Sequence, residues 1–156
     1  MRLIAHRGNY KGKDEARENS IPHLLDAIDQ GYDVETDIYY QKGFWFLGHD
    51  FPKYPVSREF LERLSPYTWF HAKNYITFCE LLNNRFHCFF HDQDEYALTS
   101  NRIIWAYSGK YISNEYASVA VMPESCPGYE VPSNIYGVCS DDLRPFRDKL
   151  SNTINN

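Results

Sequence analysis

The apolar residues of this chain are gathered into short runs, and in its first half the segments between those runs place their apolar residues at helical spacing. Runs that short suit buried strands, and strand, amphipathic helix, strand is the unit from which parallel sheets are built. The chain is thereby held to an α/β architecture. Residues 2–6 read as the first strand and residues 8–19 as a polar loop dense in charge and glycine. A helix then starts at Asn19 or Ser20, with Pro22 in its first turn, Ile21, Leu24, Leu25 and Ile28 on one stripe, and Gly31 just past its end. Residues 32–40 are the second strand, and residues 43–47 fold back after a turn at Gln41-Lys42-Gly43.

Residues 57–64 form a short helix, residues 68–72 a third strand, and residues 75–82 a helix capped by Asn74. Beyond that point residues 86–90, 103–107, 118–122 and 135–139 read as further buried strands. Their connections are rich in Ser, Asn, Gly and Pro and are mostly not helical. Seven strands, or eight with another near residues 129–131, joined by right-handed crossovers, predict a reduced TIM-like (β/α) barrel of mostly parallel strands that has lost several outer helices. Residues 1–150 read as one domain and residues 151–156 as a polar C-terminal tail, since 156 residues supply a single core. Aromatic residues, at 17%, are the natural cover for the outer face of the later strands, either within the chain or as an exposed aromatic face that builds a homo-oligomer.

The formal charge of -5, with its 16 Lys and Arg scattered rather than striped, argues against a nucleic-acid partner. No apolar stretch approaches the ~20 residues of a membrane span, and Met1 to Ala5 run straight into His6 with no room for a signal peptide. A cytoplasmic protein is expected. Cys79, Cys88, Cys126 and Cys139 lack C-x-x-C spacing and read as buried reduced thiols.

Chemistry concentrates at strand ends. Residues two apart on a strand share a face, so Glu35 and Asp37 project together, with His6-Arg7 on one neighbouring strand and His71 with Lys73 on the other. Charged groups facing a barrel interior are costly unless paired or metal-bound. A divalent cation held by the two acids would bind a phosphate oxygen, while Arg7 and Lys73 neutralise the remaining oxygens. His6 and His49 would then divide the proton work, one accepting from the attacking hydroxyl and the other donating to the leaving oxygen. The expected partner is a small phosphodiester substrate.

His6-Arg7-Gly8, Glu18-Asn19-Ser20, the helix end at Ala27 to Gly31, Glu35-Thr36-Asp37 and Gly48-His49-Asp50 resemble, in order and spacing, the glycerophosphodiester phosphodiesterases. That family shares a TIM-barrel fold with phosphatidylinositol-specific phospholipases C. The likeness spans roughly residues 2 to 51, and Val138-Cys139-Ser140-Asp141-Asp142 resembles the family's last strand. It implies Glu35 and Asp37 as metal ligands, His6 and His49 as acid and base, Lys73 as the third-strand lysine, Mg or Ca as the cation, and a place in lipid metabolism. His71 stands where the family usually has a third carboxylate. An imidazole there softens the site toward Mn or Zn, unless a carboxylate from a later segment, Asp92 or Glu124, compensates. Metal-dependent hydrolysis of a small glycerophosphodiester-like metabolite is the leading expectation, with cyclisation by the substrate's own hydroxyl as a variant. The alternative is a catalytically inactive barrel that binds a phosphorylated ligand or partner protein.

Overall fold

The computed structural model describes residues 1–154, with side chains through residue 150. Strand β1 (Arg2–His6) leads through the polar loop into α1 (Ile21–Asp29), which begins after Ser20 with Pro22 in its first turn. Strand β2 (Asp33–Gln41) then runs parallel to β1, and on its other side pairs with β5 (Thr68–Ala72), also parallel. The far end of β2 outruns β1 and carries an antiparallel extension, β3 (Phe44–Leu47) followed by β4 (Tyr54–Val56). Between β4 and β5 lies α2 (Arg58–Leu64), whose first turn is capped by the Ser57 hydroxyl accepting from the Phe60 amide. After β5, the Asn74 side chain accepts from the Thr77 amide at 2.8 Å and starts α3 (Tyr75–Asn83), as its position in the sequence predicts.

The second half is leaner. Strands β6 (Cys88–Phe89), β7 (Tyr96–Leu98), β8 (Ile104–Ala106), β9 (Ser118–Val121) and β10 (Gly137–Ser140) follow with no α-helix between them, and α4 (Arg144–Ile154) closes the described chain. Residues 151–154 of the expected tail continue that helix, and residues 155 and 156 lie outside the described residues. All ten strands belong to one curled sheet. Its parallel path runs β6-β5-β2-β1-β10-β9-β8, with β7 added antiparallel to β8.

The curled sheet is consistent with the expected reduced barrel and its pairing is mostly parallel, with six parallel ladders and three antiparallel ones, but closure is corrected: the sheet stays open. Among the described residues no ladder joins β6 to β8, because β6 is only two residues long and the chain turns back through β7. The gap is bridged instead by the Ser100 amide donating to the Cys88 carbonyl at 2.8 Å and by Phe89 stacking on Trp105 at 4.5 Å. No strand forms near residues 129–131. Tyr129 and Val131 pack over Ala106, Ile112, Ala120, Ile135 and Val138, covering the outer sheet face where a helix is missing. Loop residues Tyr129 and Val131, together with Phe146 of α4, therefore cover this face.

Strand alternation divides the rest of the core in two. Ile4, Trp69, Phe89, Trp105, Val119 and Cys139 fill the concave side. Ala5, Val34, Ile38, Phe70 and Ala72 face outward against Leu24, Ala27, Leu64 and Leu81 of the helices. All four cysteines are free, Cys88 and Cys139 being buried and Cys79 and Cys126 half-buried. No helix among the described residues is long and apolar enough to cross a membrane.

Candidate functional site

The inward face of β2 is acidic. Glu35 is 2% exposed and Asp37 fully buried, so two carboxylates sit at the mouth of the concave core. Such burial is tolerable only with strong compensation. Asp37 receives it from four sides: Arg7 Nε lies 2.9 Å from Oδ2, Lys73 Nζ 3.1 Å and His71 Nδ1 3.0 Å from Oδ1, and Asn19 Nδ2 donates to Oδ2 at 3.0 Å. Burial opposes ionisation of Asp37, but His71, Lys73 and Arg7 outweigh it and hold its pKa below the ordinary carboxylate value. Glu35 goes the other way, since burial and the charge of Asp37 push its pKa up.

The loop after β1 is shaped to reach these acids. Arg7 (φ 53°), Gly8 (φ 89°) and Asn19 (φ 61°) all take left-handed backbone conformations. At Gly8 a Cβ would lie 2.8 Å from the His23 ring, so only glycine lets the loop cross α1 this closely. The turn aims the Arg7 amide at Glu35 Oε2, which accepts it at 3.1 Å, while the Arg7 guanidinium also pairs with Glu18 at 2.9 Å. Asn19 clamps the loop to β2: its Oδ1 accepts from the Asp37 amide at 2.9 Å and from the Thr36 hydroxyl at 2.8 Å. Asn9 performs the same service nearby, donating to Glu18 and Asp141 and meeting His23 through its Oδ1.

His6 ends β1 with Nδ1 2.9 Å from Asp141 Oδ1 and Nε2 4.0 Å from Glu35 Oε2. Burial works against the imidazolium, yet the hydrogen bond to Asp141 and the charge of Glu35 prevail and raise its pKa. Asp141 is itself fixed from behind: Glu124 accepts from the Asp141 amide at 2.9 Å and the Ser140 hydroxyl at 2.7 Å. His49, 40% exposed, stands on the loop after β3 with Nδ1 2.7 Å from Asp50 Oδ1. Its carbonyl accepts from Tyr39, and the preceding Gly48 has no room for a side chain, because a Cβ there would meet the Phe51 carbonyl at 2.3 Å.

A cavity of about 570 Å³ opens here, and His6, Arg7, Glu35, His49, His71 and Lys73 all line it. Ligand atoms of Glu35, Asp37 and His71 lie within 4.8 Å of one another, a spacing that suits a single metal ion. Asp37 Oδ1 is buried without an aligned hydrogen bond although His71 and Lys73 are at ion-pair distance, so an anionic oxygen with unused lone pairs faces the cluster. Two carboxylates and one imidazole with that oxygen among them fit a divalent cation. Asp92 is exposed on the cavity rim, outside this group of three, and it is His91 that turns inward, stacked on His71 at 4.7 Å. Glu124, the other acid weighed as a ligand, is engaged with Ser140 and Asp141 instead.

Asn9, Asn19, Glu18 and Asp141 carry much of this geometry, yet the sequence assigns none of them to the site and marks Asn19 only as a possible helix start. Glu18-Asn19 and Asp141 lie within the stretches that resemble the phosphodiesterases, which is the signal that could have singled them out. Nothing in the local sequence marks Asn9. No family model matches the chain, and no curated protein matches it. It is similar to a crystal structure of a glycerophosphodiester phosphodiesterase from Parabacteroides distasonis, at 13% identity and a TM-score of 0.48, with 99% of this chain and 98% of that chain covered.

Proposed function

We propose that this chain is a metal-dependent phosphodiesterase acting on a small glycerophosphodiester-like metabolite. The observation that carries the reading is the convergence, on one cavity, of the Glu35–Asp37–His71 cluster with two further imidazoles, His6 and His49. Glu35, Asp37 and His71 would hold the cation, and the nitrogen in that set favours Mn or Zn over Mg or Ca. When bound, the cation supplies Lewis-acid polarisation of a phosphate oxygen. Lys73 and Arg7 line the same cavity and oppose the negative charge that grows on the phosphate as the nucleophile attacks.

His6 and His49 exchange the protons. His6 is held in one orientation by Asp141, which leaves Nε2 directed toward Glu35 and the cavity. His49, held by Asp50 on a more exposed loop, has the access to solvent that a group exchanging protons with water requires. Diester hydrolysis with Mn or Mg added back tests the reading. His6→Ala and His49→Ala should each lower turnover by ~10²–10⁴-fold, the usual contribution of one acid-base group, and retained turnover in either refutes its role.

One observation favours the second reading, a phosphate-binding protein without catalysis: both oxygens of Asp37 are already faced by cationic or amide groups. Phosphate binding with neither divalent-cation binding nor hydrolysis would select it.

A further inference from the structure

The cavity has two chemically distinct sides. Toward β1, β2 and β5 it is charged, with His6, Arg7, Glu35, His71 and Lys73; toward β6, β8 and β9 its surface is Phe89, Phe90, Trp105, Tyr107, Val121 and Met122. The inner layer of that second side is fixed, because Phe89 and Trp105 are buried and stacked on one another at 4.5 Å. Its outer layer is open: Tyr107 is 49% exposed, and Phe90 is also exposed. Tyr107 is set edge-on to His91, with 5.6 Å between ring centroids and 81° between planes. Met122 is held there in a left-handed conformation (φ 47°) by its amide donating to Cys139 and its carbonyl accepting from Ser108. No Lys or Arg stands on this side, and its acid, Asp92, is out on the rim.

We propose that this wall is a subsite for a planar ring carried by one of the two alcohols esterified to the phosphate, as in a nucleoside or a phenol. The inference rests on the phosphate-binding half of the proposed function and deepens it by naming the substituent class. A phosphate bound by Lys73 and Arg7 would share one cavity with Tyr107 and Met122, within which an ester substituent has this wall to rest on. A polyol placed there would meet mostly carbon, with His91, Asp92 and the Tyr107 hydroxyl as the side-chain polar groups, and lose hydrogen bonds to water. A ring loses little, gains offset or edge-to-face contacts with Tyr107, and meets a polarisable thioether in Met122. Stacking of this kind is tolerant of ring identity, so nucleobase and phenyl share the same recognition chemistry.

Calorimetric titration of the full chain in the presence of Mn tests this with inorganic phosphate, glycerol 3-phosphate, phenyl phosphate and uridine 5′-monophosphate. Phenyl phosphate or the nucleotide should bind at least tenfold more tightly than glycerol 3-phosphate, and whichever of the two gains more identifies the ring source. Tyr107→Ala should remove that gain while leaving inorganic phosphate affinity unchanged, and Tyr107→Phe should retain it. Equal affinities for ring and glycerol esters, or a uniform loss across all four ligands in Tyr107→Ala, overturn the subsite and leave the phosphodiesterase reading standing. Failure of inorganic phosphate itself to bind overturns the underlying reading, and the subsite with it.

Discussion

Replacing Asn19 by Ala should cost the fold more than any exposed substitution in the same loop. Asn19 is 1% exposed and makes three hydrogen bonds to β2: its amide donates to the Asp37 carboxylate, and its carbonyl accepts from the Asp37 amide and the Thr36 hydroxyl. One bond to a charged group is worth ~1.5–3 kcal/mol and each of two neutral bonds ~0.5–1.5, so their joint loss amounts to about 4 kcal/mol. The residue also sits at φ 61°, where Asn is tolerated and Ala adds ~1 kcal/mol. For a single domain with a urea slope near ~2 kcal/mol/M, the unfolding midpoint should fall by roughly 2 M. Urea titrations monitored by tryptophan fluorescence, with chelator present to keep metal linkage out, provide the measurement. Asn19→Gly separates the two contributions, because it removes the hydrogen bonds and keeps the backbone freedom. If Asn19→Ala loses less than about 1 kcal/mol, the ordinary effect of an arbitrary substitution, the clamp between loop and strand is not what holds Asp37 in place.

Mn at 100 times its dissociation constant should raise the stability of the wild type by about 2.7 kcal/mol, and Asp37→Asn should abolish that increment; a thermal shift that survives the substitution excludes Asp37 as a ligand. Asp141→Asn should lower the His6 pKa, since Asp141 raises it in the native protein, and proton NMR titration of the imidazole resonances would show an unmoved His6 if the 2.9 Å contact is not formed. His87, tilted against Trp69 with Nε2 buried and unpartnered, has its pKa pushed down to about 4 by burial. Its folded pKa lies below its unfolded value of 6.5, so the unfolded chain takes up the proton first and stability falls as pH drops from 6.5 toward 4. Allowing for its partial exposure, about 2 kcal/mol is at stake, and His87→Phe should remove that part of the acid sensitivity; identical pH–stability curves for the two proteins would contradict it.

Local signals located most of the first half of this molecule. Short-range physics decides those elements: Pro22 in the first turn and Gly31 past the end for α1, and the Asn74 and Ser57 caps for the later helices. Strand periodicity places Glu35 and Asp37 on one face without reference to anything distant, and both acids do point inward. The three-residue strands β4 and β7 were illegible because so few residues carry no measurable alternation, and α4 offers only a sparse stripe, Phe146, Leu150 and Ile154 at helical spacing in an otherwise polar segment.

What the amino-acid order determined alone is therefore the α/β alternation and the projection of two acids, two imidazoles and two cations from neighbouring strand ends. Only the tertiary structure decided that the sheet stays open between β6 and β8, since closure depends on whether two short strands far apart in the chain come into register. Long-range packing likewise chose His91 over Asp92 as the residue facing inward, engaged Glu124 with Ser140 and Asp141, and brought Asp141 from the last strand to His6 on the first. The Asp141–His6 contact joins residues 135 positions apart, the Glu124 contacts reach 16 and 17 positions, and His91 meets His71 on a neighbouring strand, so no local pattern along the chain encodes them.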